Sequence, residues 1–145
     1  MKINIEQSSE YGEVEITIKC GEMDSGLERL LSHLRLYTHT FSGKKDGKVY
    51  FLRAEDVLYF DTVDEKVFIY TADSVYETML KLFEIEERFT GTGMIRVNKS
   101  TILNLMKFNH VMPLVNGRIQ AVLQNNEMII ISRQYVPSFK NKLGL

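Results

Sequence analysis

A mainly β, α+β fold is what this sequence predicts, built from many short antiparallel strands and few helices. Three observations predict it. Short β-branched and aromatic runs recur, as in Val49-Tyr50-Phe51-Leu52, Val57-Leu58-Tyr59-Phe60 and Val67-Phe68-Ile69-Tyr70. Turn signals separate such runs, among them Asp46-Gly47, Asp64-Glu65-Lys66 and Asn116-Gly117. No regular alternation of strands with long amphipathic helices appears, which argues against a βαβ rhythm and a parallel sheet.

Taken in order, Lys2–Glu6 and Glu13–Lys19 alternate apolar and polar residues, so Ile3 and Ile5, then Val14, Ile16 and Ile18, would line one face of two strands. Asp24-Ser25-Gly26 precedes Leu27, Leu30, Leu31 and Leu34, the apolar stripe of an amphipathic helix. Residues 1–43 therefore read as a strand-strand-helix extension. The three aromatic strands above follow. Thr78 is expected to open a helix carrying Met79, Leu82 and Phe83 on one side, with Gly91 as its stop. A strand near Met94–Val97 and a short turn or helix through Asn104 come next. His110–Leu114 and Arg118–Leu123 form a hairpin across Asn116-Gly117. Met128–Ile131 is the last strand, and Ser132 is placed to cap a terminal helix bearing Tyr135 and Phe139.

The 145 residues, 44% of them hydrophobic and 26% charged, suffice for one domain with a modest extension and a core needing no staples. The first six residues hold no apolar core of a secretory signal, and no window is apolar enough to span a bilayer. The single cysteine, Cys20, has neither a disulfide partner nor companions for a zinc site; redox sensing is the sharper alternative to a reducing, cytoplasmic setting.

Net charge is only -1, but it is unevenly placed. From Arg88 onward eight basic residues face one acid, Glu127; over residues 1–43 four basic residues face seven acids. Such asymmetry is a hint of polyanion binding at one end. Enzyme signatures are missing: no glycine-rich phosphate loop, no nucleophile elbow and no helical His pair. The histidines His33, His39 and His110 are scattered, and Asp61, Asp64 and Glu65 lack the spacing of a calcium loop. What stands outside the apolar pattern is polar and basic. Lys66 lies in a turn, Arg96-Val97-Asn98-Lys99-Ser100-Thr101 and Asn104 follow a strand, and Ser132-Arg133 precede a helix with Lys140 and Lys142. Cationic side chains pair with phosphate or guanine O6/N7, and a side-chain amide can read adenine. A serine at a helix start adds a hydroxyl and a favourable dipole for a phosphate.

These segments together resemble the LytTR (LytR/AlgR-type) DNA-binding domain family over about residues 44–145. The resemblance runs through Ala54-Glu55-Asp56-Val57-Leu58-Tyr59-Phe60, Val67-Phe68-Ile69-Tyr70-Thr71, Tyr76-Glu77-Thr78, Leu82 and Glu86-Glu87-Arg88-Phe89. It continues in Ile95-Arg96-Val97-Asn98-Lys99-Ser100, Asn104, Asn116-Gly117-Arg118 and Ile131-Ser132-Arg133-Gln134-Tyr135-Val136. It implies an elongated fold of about ten strands in antiparallel sheets, with short helices, whose loops enter successive major grooves. It also implies base contacts from Lys66, Lys99 and Arg133, and phosphate contacts from Arg96, Asn98, Ser100, Asn104, Ser132 and Lys140.

By the same resemblance, double-stranded DNA is the partner, bound by a homodimer on paired direct repeats. The chain looks like the family's stand-alone regulators, without a phosphorylatable receiver. A small membrane modulator protein is a further implied partner, and the 1–43 extension is assigned to dimerisation or partner binding. No cofactor and no catalysis are expected. The competing readings are a LytTR-like protein-interaction module or antagonist that no longer binds DNA, and an RNA binder. The second needs an exposed aromatic stacking platform, whereas the aromatics here sit within strand patterns.

Overall fold

The computed structural model describes residues 1–145 and carries ten strands and three helices. Helix α1 (Ser25–Tyr37) starts where the Asp24 carboxylate accepts a hydrogen bond from the Leu27 amide at 2.8 Å. Strands β1 (Thr40–Lys45) and β2 (Lys48–Arg53) form a hairpin across Asp46-Gly47, both in the left-handed region. After a 3-10 turn at Ala54–Asp56 come β3 (Val57–Val63), β4 (Lys66–Thr71) and β5 (Val75–Thr78), then α2 (Leu82–Arg88). Strands β6 (Met94–Arg96) and β7 (Thr101–Asn104) complete the main sheet, of order β2-β1-β5-β4-β3-β7-β6. A second sheet, β10-β9-β8, is made of β8 (Phe108–Pro113), β9 (Ile119–Leu123) and β10 (Met128–Ile131). Every pairing is antiparallel. Helix α3 (Val136–Leu143) closes the fold.

Strand β3 feeds two cores, and its register shift between Val57 and Tyr59 puts the adjacent Leu58 and Tyr59 in the same one. Val57 and Phe60 join Leu36 of α1, Phe41, Ile69, Ile85 and Phe89 in one cluster. There the rings of Phe41, Phe60 and Phe89 lie 5.6–6.1 Å apart, the spacing of tilted aromatic pairs. Leu58 and Tyr59 join Ile95, Val97, Leu103, Ile119, Leu123, Ile131 and Phe139 in the other, which welds the small sheet and α3 to the main sheet.

The mainly β, antiparallel architecture matches the expectation, but four local readings are corrected. Residues 1–24 form neither strand nor helix, and Val14, Ile16 and Ile18 are exposed. Two alternating strands have one apolar face and need a further layer to cover it, which these residues do not find within their own chain. The division at residue 43 falls inside β1, whose Phe41 is already part of a core. Thr78 ends β5 opposite Val67 instead of opening a helix; α2 starts at Leu82 and buries Leu82, Ile85 and Phe89, while Met79 and Phe83 face out. The turn expected after Ser100 is the buried strand β7.

Candidate nucleic-acid interface

Three chain segments meet at one end of the main sheet. The β3–β4 turn is the first: Asp64 and Glu65 both take positive φ, which closes a two-residue hairpin and sets Lys66 opposite Val63 as the first residue of β4. The β6–β7 connection, Val97 to Ser100, is the second. The third is the passage from β10 into α3, where Arg133–Tyr135 form a 3-10 turn before the helix. Backbone hydrogen bonds tie all three. The Thr62 amide donates to the Ser100 carbonyl at 2.9 Å, and the Ser132 amide donates to the Val97 carbonyl at 2.9 Å.

The middle segment is braced by its own side chains. Arg96 donates from Nε to the Asn98 carbonyl at 2.8 Å, from Nη2 to the Lys99 carbonyl, and pairs through Nη1 with Glu86 of α2 at 3.2 Å. Asn98 Oδ1 accepts from the Ser100 amide and hydroxyl at 2.9 and 3.1 Å, while its Nδ2 donates to the Ile130 carbonyl of β10 at 3.0 Å. Thr101 donates its hydroxyl to Asp61 at 3.0 Å. The loop is thereby held by charge-assisted and buried-edge bonds, and Lys99 is its one exposed side chain.

The expected site residues therefore separate. Lys66, Lys99 and Arg133 are exposed at the tips of the three segments, and Ser100 and Ser132 lie half-buried beside them. Ser132 does not cap through its hydroxyl; its carbonyl accepts from the Tyr135 amide at 2.8 Å, because the chain enters a 3-10 turn before α3. That leaves the hydroxyl unspent. Arg96 and Asn98 commit most of their polar atoms to shaping the loop. Asn104 is corrected outright: it is fully buried, donates from Nδ2 to the Val57 carbonyl at 2.8 Å and accepts from the Met106 amide at 3.0 Å, so no polar atom remains for a phosphate. Lys140 is exposed in the last turn of α3.

Two features were not read from the sequence. A Cβ built at Gly117 would stand 3.2 Å from Cδ of Arg133, so this left-handed glycine leaves room for the arginine stem. The tips also carry acids: Lys66 Nζ lies 4.0 Å from the Glu77 carboxylate, with Asp64 and Glu65 at the neighbouring turn. That pair is solvent-exposed and correspondingly weak.

Residues 47–144 match the family model of the LytTr DNA-binding domain. The chain belongs to the LytTR DNA-binding domain family. It is 31% identical over 100 residues to the sensory transduction protein LytT of Enterococcus faecalis, a match covering 69% of this chain and 41% of that protein's length. It is 24% identical over 147 residues to an HTH-type transcriptional regulator of Staphylococcus aureus, covering 100% of this chain and 99% of the relative. Among solved structures, the LytTr DNA-binding domain of a methyl-accepting/DNA response regulator from Bacillus cereus superposes with a TM-score of 0.70 at 20% identity, covering 73% of this chain and 97% of that one. LytTR membership accounts for the strand-rich architecture. No helix is long and apolar enough to cross a membrane.

Proposed function

We propose that this LytTR chain is a sequence-specific transcriptional regulator that reads successive major grooves through its three loop tips. Lys66, Lys99 and Arg133 contact base edges. Arg133 suits two parallel bonds to guanine O6 and N7, and the two lysines supply single cationic contacts. Ser100, Ser132 and Lys140 hold phosphates, with the donors left on Arg96. Asn98 acts indirectly, by fixing the loop under Lys99. Two protomers occupy paired direct repeats.

The observation that carries this reading is the pair of backbone bonds from Thr62 to Ser100 and from Ser132 to Val97. They hold three cationic tips, far apart in sequence, side by side: two on the main sheet and the third on the passage out of the small one. No two helices are consecutive in the chain, so no helix-turn-helix is present to compete for that role. A salt titration against duplex DNA is the test. Neutralising several phosphates gives a steep linear fall of log affinity with log salt, with a slope of about -0.9 per phosphate. A flat response would instead favour a LytTR-like protein-interaction module.

A further inference from the structure

We propose that residues 13–19 of one copy add as an antiparallel strand to the β2 edge of a second copy. Strand β2 ends the main sheet. The two-residue turn at Asp46-Gly47 makes Lys48, Tyr50 and Leu52 exchange hydrogen bonds with β1, so Val49 and Phe51 turn their N–H and C=O groups outward. Natural sheets blunt such edges with prolines, bulges, charges or cover. Here the β1–β2 register is unbroken, β2 contains no proline, its charges Lys48 and Arg53 sit only at its two ends, and Phe51 between them is 88% exposed.

The occupant is written in the same chain. Glu13–Lys19 carries the alternating, β-branched pattern of a strand, yet Val14, Ile16 and Ile18 are 94, 64 and 37% exposed. Charge matches as well. Residues 1–24 hold two lysines and six acids, whereas residues 40–53, which include the β1–β2 hairpin, hold four basic residues and one acid. A register that sets Val14 opposite Phe51 and Ile16 opposite Val49 covers the two most exposed apolar residues of β2. It also puts Glu15 diagonally beside Lys48.

A copy's own arm is poorly placed for this edge. The arm joins α1 at Ser25, beside Gly144 after α3, while the hairpin starts past the other end of α1, where the Ala54 amide donates to the His39 carbonyl. Thirteen helical residues span about 20 Å. The chain from Lys19 to Ser25, fully stretched, also covers only about 20 Å. An own arm would reach no further than the near end of β2, whereas the antiparallel register puts Lys19 at the far tip. Reciprocal exchange between two copies satisfies both arms and both edges and closes the assembly at a dimer. The contact itself runs arm to edge, so a head-to-tail pair on direct repeats can form it once.

The experiment is sedimentation velocity of the full chain over a concentration series, without DNA, for the wild type, Phe51→Pro and Ile16→Lys. Phe51→Pro removes an outward amide and spares the β1 ladder; Ile16→Lys lies outside the folded body and leaves it intact. The wild type is expected to dimerise, and each variant to raise the dimer dissociation constant at least about tenfold, the worth of one lost hydrogen bond or apolar pair. A wild type that stays monomeric throughout overturns the proposal. So does a dimer that survives Ile16→Lys undiminished, since that dimer uses another surface. Because DNA is absent, neither result depends on the DNA-binding reading.

Discussion

Gly117 and Arg133 meet at one end of the small sheet: a Cβ at position 117 would lie 3.2 Å from Arg133 Cδ and 3.3 Å from its Cγ. Gly117 also has a φ of +72°, so the position excludes side chains twice over, by conformation and by space. The β8–β9 connection thus serves as a wall along which the Arg133 stem is laid. Gly117→Val should cost about 1–3 kcal/mol of stability from backbone strain and swing the guanidinium away from its target. The expected result is a loss of specific DNA affinity with little change on random duplex, measured on protein shown folded by circular dichroism.

Arg133 and Lys140 should respond differently to truncation. Arg133→Ala is expected to cost about 1–3 kcal/mol on the specific site and to relax preference at one base pair. Lys140→Ala should weaken specific and random DNA alike and flatten the salt slope by about one unit, as a lost phosphate contact does. Fluorescence anisotropy against both duplexes at several salt concentrations separates the two. Equal losses for Arg133→Ala on both duplexes would make it one more phosphate clamp.

Asn104 is expected to matter for stability and not for DNA. Replacing it with Ala strands the buried Val57 carbonyl, at a cost of about 1–3 kcal/mol, and releases the Met106 amide at the turn after β7. Denaturant melts should record that loss, while DNA affinity of the folded protein stays at the wild-type value. A large drop in affinity with unchanged stability would return Asn104 to the interface.

How much of this was legible follows from the kind of signal involved. The aromatic strands β2, β3 and β4 and the Asn116-Gly117 hairpin were plain because local pattern and turn chemistry agree. Thr78 misled because Met79, Leu82 and Phe83 have helical spacing, whereas the buried stripe is Leu82, Ile85 and Phe89, one step out of phase. Strand propensity in residues 13–19 is equally clear, but a strand needs a partner, and pairing is not encoded locally. The tips Lys66, Lys99 and Arg133 stood out as charge interrupting apolar pattern. Asn104 looked the same in sequence, since a polar residue after a strand carries no mark of whether its amide faces water or a stranded carbonyl. The role of Gly117 beside Arg133 depends on a contact across sixteen positions and was visible only in three dimensions.

Tyr59 gives a pH prediction. Burial, then the adjacent Glu127 carboxylate, then Tyr70 and Asp61 hold its hydroxyl well above the ordinary tyrosine range, and Tyr70, stacked on it at 4.3 Å, is raised as well. The folded state keeps the proton that the unfolded chain gives up near pH 10. Its contribution is therefore fully present below about pH 10 and is lost as pH rises further, with a slope approaching about 1.4 kcal/mol per pH unit for one proton. Alkaline denaturation of Tyr59→Phe should be less steep than that of the wild type in that window; identical slopes would contradict the assignment.

Three separated tips are proposed to act as one reading head. The direct measurement is a binding-site selection from random duplexes, sequenced for the wild type and for Lys66→Ala, Lys99→Ala and Arg133→Ala. The prediction is that each variant loses preference at its own base positions, that the three sets do not overlap, and that Arg133→Ala produces the sharpest loss. Preferences that fall uniformly in all three variants, or that do not change in any, would contradict base reading by these loops.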